Sequence, residues 1–136
     1  MTHPAPRLIL VYNADGGLLN ALKDSAHKIV SPATYPCSLC ALTYGWVSMR
    51  ARWRRFLASL PMPKVFHHRD DFALAFPGLA VPLPTILLAE GRGPPRVLVS
   101  APELDALPDV QALIALVEER LVLAQLGAPI RVSALG

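Results

Sequence analysis

Charged side chains are scarce in this chain: Asp, Glu, Lys and Arg make up 17% of its 136 residues, against a hydrophobic share of 53%. That proportion is rich for a soluble protein and points to an exposed sticky face. Long apolar runs are missing as well. None reaches the roughly 18 to 20 residues that a membrane-spanning helix needs, so no membrane partner is expected. The opening apolar stretch, Leu8 to Tyr12, is too short for a signal-peptide core, which makes the cytoplasm the expected location. No Gly-x-x-x-x-Gly-Lys-Ser/Thr occurs, and nothing else offers a cradle for a nucleotide phosphate. There is no internal repeat and no low-complexity segment. Cysteine is limited to two residues, Cys37 and Cys40, three positions apart. In a reducing compartment a lone close pair is more often redox-active or metal-binding than a structural staple.

The formal charge of +3 is modest, and much of the positive charge sits in Arg50, Arg52, Arg54 and Arg55. These arginines read as the solvated face of a helix, and Trp46 and Trp53 as part of its apolar face. Without a basic surface elsewhere, nucleic acid is not an expected partner.

What remains is the length and patterning of one domain, residues 1–136, able to bury a single core without staples. Arg7 to Tyr12 reads as a buried strand ending in a turn. Asp15 caps a helix with Leu18, Leu22, Ala26 and Ile29 on one face, which stops near Ser31-Pro32. A loop with two prolines then delivers Cys37-Ser38-Leu39-Cys40. From Ala41, the positions of Trp46, Met49, Trp53, Phe56, Leu57 and Leu60 predict one amphipathic helix, broken at Pro61-Met62-Pro63. Lys64 to His68 reads as a second strand running out into Arg69-Asp70-Asp71, followed by a short helix or turn. Thr85 to Ala89 and Arg96 to Val99 form a hairpin pattern. Ser100-Ala101-Pro102-Glu103 has the form of a capping box. After Pro108 a last helix places Val110, Leu113, Ile114, Val117, Leu121 and Ala124 inside and Glu118, Glu119 and Arg120 outside. Adjacent Asp70 and Asp71, placed on a strand, point to opposite sides and do not form an acid–base pair.

Strand, helix, cysteine pair, helix, strand, hairpin and closing helix is an α/β order. With Cys37-x-x-Cys40 ahead of a helix and Leu83-Pro84-Thr85 opening a hairpin, it resembles the thioredoxin-like fold. The resemblance implies a central mixed sheet of about four strands flanked by helices, with an extra helix between the first strand and the Cys-x-x-Cys. It implies that Pro84 is the cis-proline that keeps the backbone edge beside the sulfurs open to substrate. Over most of its length, through Tyr12 to Leu22, Asp24 to Lys28, Ser31-Pro32 and the cysteine motif, the chain also resembles a small uncharacterised bacterial family. Some of its members are loosely labelled GTPase, a label the missing phosphate cradle does not support.

Three functions follow. As a thiol-disulfide pair, Cys37 is the attacking thiolate, Cys40 the resolving thiol, and the partner a protein or a small thiol, with no cofactor. As a metal site, Cys37 and Cys40 combine with His27 and His68 around zinc or iron. His67 and His68 alternate along their strand, so at most one of them joins the cysteines. The third reading is a thioredoxin-like binding scaffold without thiol activity. Oligomeric state and the role of the Arg50 to Arg55 cluster are open at this level.

Overall fold

The computed structural model describes residues 6–13, 38–44, 49–90 and 93–125. Its centre is β1 (Arg7–Val11), buried from Leu8 onward because Leu-Ile-Leu-Val has no polar side to turn to water. β2 (Lys64–His67) pairs with it in parallel, and β3 (Thr85–Ala89) pairs antiparallel on its other side. β4 (Arg96–Val99) pairs antiparallel with β3, giving the order β2-β1-β3-β4. Two parallel neighbours need a crossover connection, and the chain between β1 and β2 carries α1 (Ser38–Thr43) and α2 (Ala51–Ser59). The remaining helices are α3 (Arg69–Ala75), between β2 and β3, and α4 (Ala101–Ala106) and α5 (Val110–Gln125), after β4.

Strand alternation divides the core in two. Leu8, Leu10 and Tyr12, with Ile86, Leu88 and Leu98, face one helical layer, into which Leu39, Trp53, Leu57, Leu104, Leu113 and Val117 project. Ile9, Val11, Leu87 and Ala89 face the other side and are covered by Phe72, Phe76, Leu79 and Leu83. The result is an α/β arrangement in which a four-stranded mixed sheet is flanked by helices, as the element order predicts. The Leu83–Pro84 peptide bond is cis. Among the described residues no helix is long and apolar enough to cross a membrane.

The capping box is in place: Glu103 accepts the Ser100 amide at 2.9 Å, and the Ser100 hydroxyl accepts the Glu103 amide at 3.4 Å. Asp109 restarts the chain after Pro108 by accepting the Ala112 amide at 2.9 Å, which opens α5.

Three expectations need correction. The single helix predicted from Ala41 to Leu60 is two. The Thr43 hydroxyl donates back to the Leu39 carbonyl at 2.7 Å, and the Arg50 amide donates to the Thr43 carbonyl at 2.7 Å. Tyr44 and Met49 are bridged antiparallel, a pairing that one continuous helix does not allow. A mid-segment threonine that back-bonds and a glycine at position 45 are both weak continuers of a helix. Second, Asp70 and Asp71 stand in the first turn of α3, where negative charge is favoured, and not on a strand. Third, Arg120 is not outside: its guanidinium makes a paired contact with Glu103 at 2.6 and 2.5 Å and also donates to the Leu98 carbonyl at 2.9 Å. A charged residue read from periodicity looks solvated unless its partner, here 17 positions earlier, is known. The helix expected after Asp15 lies outside the described residues.

Candidate functional site

Cys40 shares the core cluster that includes Tyr12, the residue that follows β1. Alternation turns Tyr12 to the same face as Leu8 and Leu10, the face packed by α1, and Cys40 joins Tyr12 in that core. Cys40 is 1% exposed. It is held there because α1 buries Leu39, Cys40 and Thr43 together and leaves Ala41 and Leu42 at the margin. Cys37 immediately precedes the first residue of α1 in the chain and lies outside the described residues, as does His27.

Aromatic rings enclose this corner. Tyr12 stacks on Phe66 of β2 with ring centres 6.3 Å apart, meets Tyr44 edge-on at 5.8 Å, and lies 6.1 Å from the His68 ring. Phe66 is 40% exposed, so one side of the stack opens to solvent. Tyr44 follows Cys40 by one helical turn, and its amide donates to the Cys40 carbonyl at 2.9 Å. Burial pushes the Tyr44 phenol above its ordinary range; a side-chain hydrogen bond with Tyr12 opposes the rise, and the neighbouring Cys40 adds to it. The Tyr44 phenol therefore holds its proton more firmly than a free tyrosine does.

The two histidine rings meet different neighbours, although β2 ends at His67 and His68, expected on the strand, is the residue that precedes α3. His68 is on the Tyr12 and Cys40 side. His67 is on the other, edge-on to Phe72 and Phe76 at 6.1 and 5.8 Å. Both converge on Asp71: His67 Nδ1 is 2.8 Å from one carboxylate oxygen, and the His68 amide donates to the other at 2.5 Å. Burial alone would raise the Asp71 carboxyl. The His67 imidazole, the His68 amide and the positive charge available to both rings outweigh it and hold the group below the usual carboxylate range. Among the described residues no three His, Cys, Asp or Glu side chains converge to hold a metal ion. Of the four residues expected to do so, Cys40 and His68 are described; Cys40 shares a core cluster with Tyr12, and the Tyr12 ring lies 6.1 Å from that of His68.

Pro84 is buried at the head of β3, next to Thr85, whose partner across the sheet is Val11. It therefore lies at the same end of the sheet as Tyr12 and His68. The Thr85 hydroxyl donates to the Val99 carbonyl at 3.0 Å, which ties the start of β3 to the end of β4. The sequence reading missed Tyr12, Tyr44 and Phe66. Tyr12 was findable, since it continues the Leu8, Leu10 alternation to the strand end where open α/β sheets gather their ligands.

Comparison with family models, curated proteins and solved structures finds no match for this chain.

Proposed function

We propose that the protein is a cytoplasmic thiol-disulfide redox protein of thioredoxin-like architecture, with Cys37 attacking and Cys40 resolving. The observation that carries this reading is the seat of Cys40: α1 begins between the two cysteines and draws the second sulfur into the core beside Tyr12. The buried seat of Cys40 suits the resolving role, since a resolving sulfur must wait away from solvent until a mixed disulfide forms. The strand order β2-β1-β3-β4, with Pro84 opening β3 at the same end of the sheet, supports the same reading.

The chemistry balances within the reduced protein. The Cys37 thiolate attacks one sulfur of a disulfide R–S–S–R, the S–S bond breaks, and RS⁻ leaves. The Cys40 thiolate then attacks the Cys37 sulfur and releases the second RS⁻. The substrate gains two electrons, the protein loses two, and the two thiol protons end on the released thiols. A cellular thiol reductant reopens the Cys37–Cys40 disulfide. No cofactor is required.

The test is mixed-disulfide trapping. Cys40→Ser removes the resolving thiol and should accumulate a covalent adduct on Cys37 that a reductant releases, whereas Cys37→Ser should trap nothing. Absence of any adduct on Cys37 overturns the reading. One equivalent of zinc or iron in anaerobically purified protein, lost together with Cys37, Cys40, His27 or His68, replaces it with the metal function.

A further inference from the structure

The arginines at the start of α2 are a charged set that neither the core nor the thiol chemistry uses. Arg50, Arg52, Arg54 and Arg55 are all exposed, and among the described residues none of them enters an ion pair. α2 contains no acidic residue, and Arg50 at its N-cap makes no side-chain hydrogen bond to the first turn. Positive charge at a helix start opposes the dipole, and arginines three or four positions apart repel each other. That local cost is relieved when an anion lies against the helix.

Neighbours on both flanks place the set. Arg52 Nη1 donates to Gln111 Oε1 of α5 at 2.7 Å. On the other flank, Arg50 Nε donates to the Leu42 carbonyl of α1 at 3.1 Å. Arg54, whose amide donates to the Arg50 carbonyl at 3.0 Å, stands one turn further along that flank. Trp53 and Leu57 are the buried residues of α2, and Arg55, two positions from each, comes about 200° round the helix from both and faces outward. Ala51, Ala58 and Ser59, also exposed, add nothing bulky or acidic there. Arg50 lines a cleft together with Asp105 and Asp109, so Arg52, Arg54 and Arg55 are the uncompensated charges. They span the exposed arc of α2 from flank to flank.

This distribution decides between anionic partners. A small anion does not touch arginines on opposite flanks of a helix about 10 to 12 Å across. A flat lipid headgroup layer meets outward Arg55 and leaves the flanks to the side. A groove with phosphates along both edges matches all three, and the major groove of B-form DNA, about 12 Å wide, admits one helix. The narrow major groove of A-form RNA does not. A formal charge of +3 argues against nucleic acid when it is only counted, whereas its concentration on one exposed helix supplies a basic face.

We propose that α2 is a contact surface for duplex DNA, set in the major groove with Arg52 and Arg54 on phosphates of the two edges and Arg55, between them, within reach of either. Binding is weak and sequence-tolerant, because it runs through phosphates, and neither cysteine takes part in it.

The test is fluorescence anisotropy of a short labelled DNA duplex titrated with the full-length reduced protein in graded salt. Three phosphate contacts predict saturable binding whose log–log slope against salt is about −3, a loss of about fortyfold between 50 and 200 mM. Arg54→Gln and Arg55→Gln, both off the core, should each make that slope shallower by about one, with Arg55→Lys retaining it. Arg96→Gln, on β4 where it pairs with Glu90, should leave the slope unchanged. Double-stranded RNA of the same sequence should bind at least about threefold more weakly than the DNA. Absence of saturable binding overturns the proposal, and so does a slope that Arg55→Gln leaves unchanged or that Arg96→Gln changes as much. Equal binding of the RNA overturns the major-groove assignment. Phosphatidylserine vesicles or polyglutamate bound as tightly as the duplex would replace DNA with a membrane surface or an acidic protein.

Discussion

In a Cys37→Ser variant one thiol remains, and its reactivity measures how firmly α1 is seated on the sheet. Cys40 is 1% exposed, and the same six-residue helix buries Leu39 and Thr43. An alkylating reagent reaches the sulfur only when α1 lifts. Lifting returns the Leu39 side chain to water at a cost of about 2 kcal/mol, and the cysteine, a small hydrophobe, at about 1 kcal/mol more. An opening that costs about 3 kcal/mol leaves roughly one molecule in 150 reactive at any moment. Iodoacetamide should therefore label Cys40 about a hundredfold more slowly in native protein than in guanidinium chloride, read by mass spectrometry of quenched samples. In the Cys40→Ser variant, Cys37 should label at least as fast in native as in denatured protein. Native labelling of Cys40 within about threefold of the denatured rate would refute the packing of α1 and, with it, the buried seat of Cys40 on which the redox reading depends.

Other residues make independent predictions. Arg120→Met strands Glu103, whose side chain is 10% exposed, and should cost about 3 kcal/mol, the lower end of the range for breaking a buried pair. In a chain of this size that loss lowers the melting temperature by about 10 °C; an unchanged transition would show that the pair contributes nothing. Glu103→Gln combined with Arg120→Met should cost less than the two separately, because both remove the same contact. Asp71 is held below the ordinary carboxylate range, so its folded form binds its proton less readily than the unfolded chain does. Its contribution to stability is complete above about pH 4 and is lost as pH falls through the lowered folded value. Asp71→Asn should flatten that acid limb in urea midpoints measured across the range, by a small amount since the carboxylate is half-exposed. A limb of unchanged slope would remove Asp71 as its cause.

The elements with strict local signals were legible in the sequence. β1, β3 and β4 are runs of Leu, Ile and Val bounded by Pro and Gly, and the capping box at Ser100 and Glu103 is written in four consecutive residues. What periodicity could not supply was interruption and long-range pairing. A helical stripe continues on paper through Thr43, Tyr44 and Gly45, whereas in the fold the Thr43 hydroxyl donates to the Leu39 carbonyl and the helix ends at Thr43. Arg120 carries the pattern of a solvent-facing residue, and only the tertiary approach of α4 turns it inward. In the candidate site, Cys40, His68 and Pro84 were named from motif and order. Tyr12 and Tyr44 were not, because two aromatics that meet edge-on across separate elements follow no spacing rule.

The most direct test of the account is equilibration of the wild-type protein in thiol-disulfide buffers of graded potential, with the mass of the intact chain as readout. The account predicts loss of two hydrogens, reversible, with a midpoint between about −180 and −300 mV, and no such transition in either single cysteine variant. Two thiols that keep their hydrogens across that range, or a bound metal ion that prevents their oxidation, would contradict it.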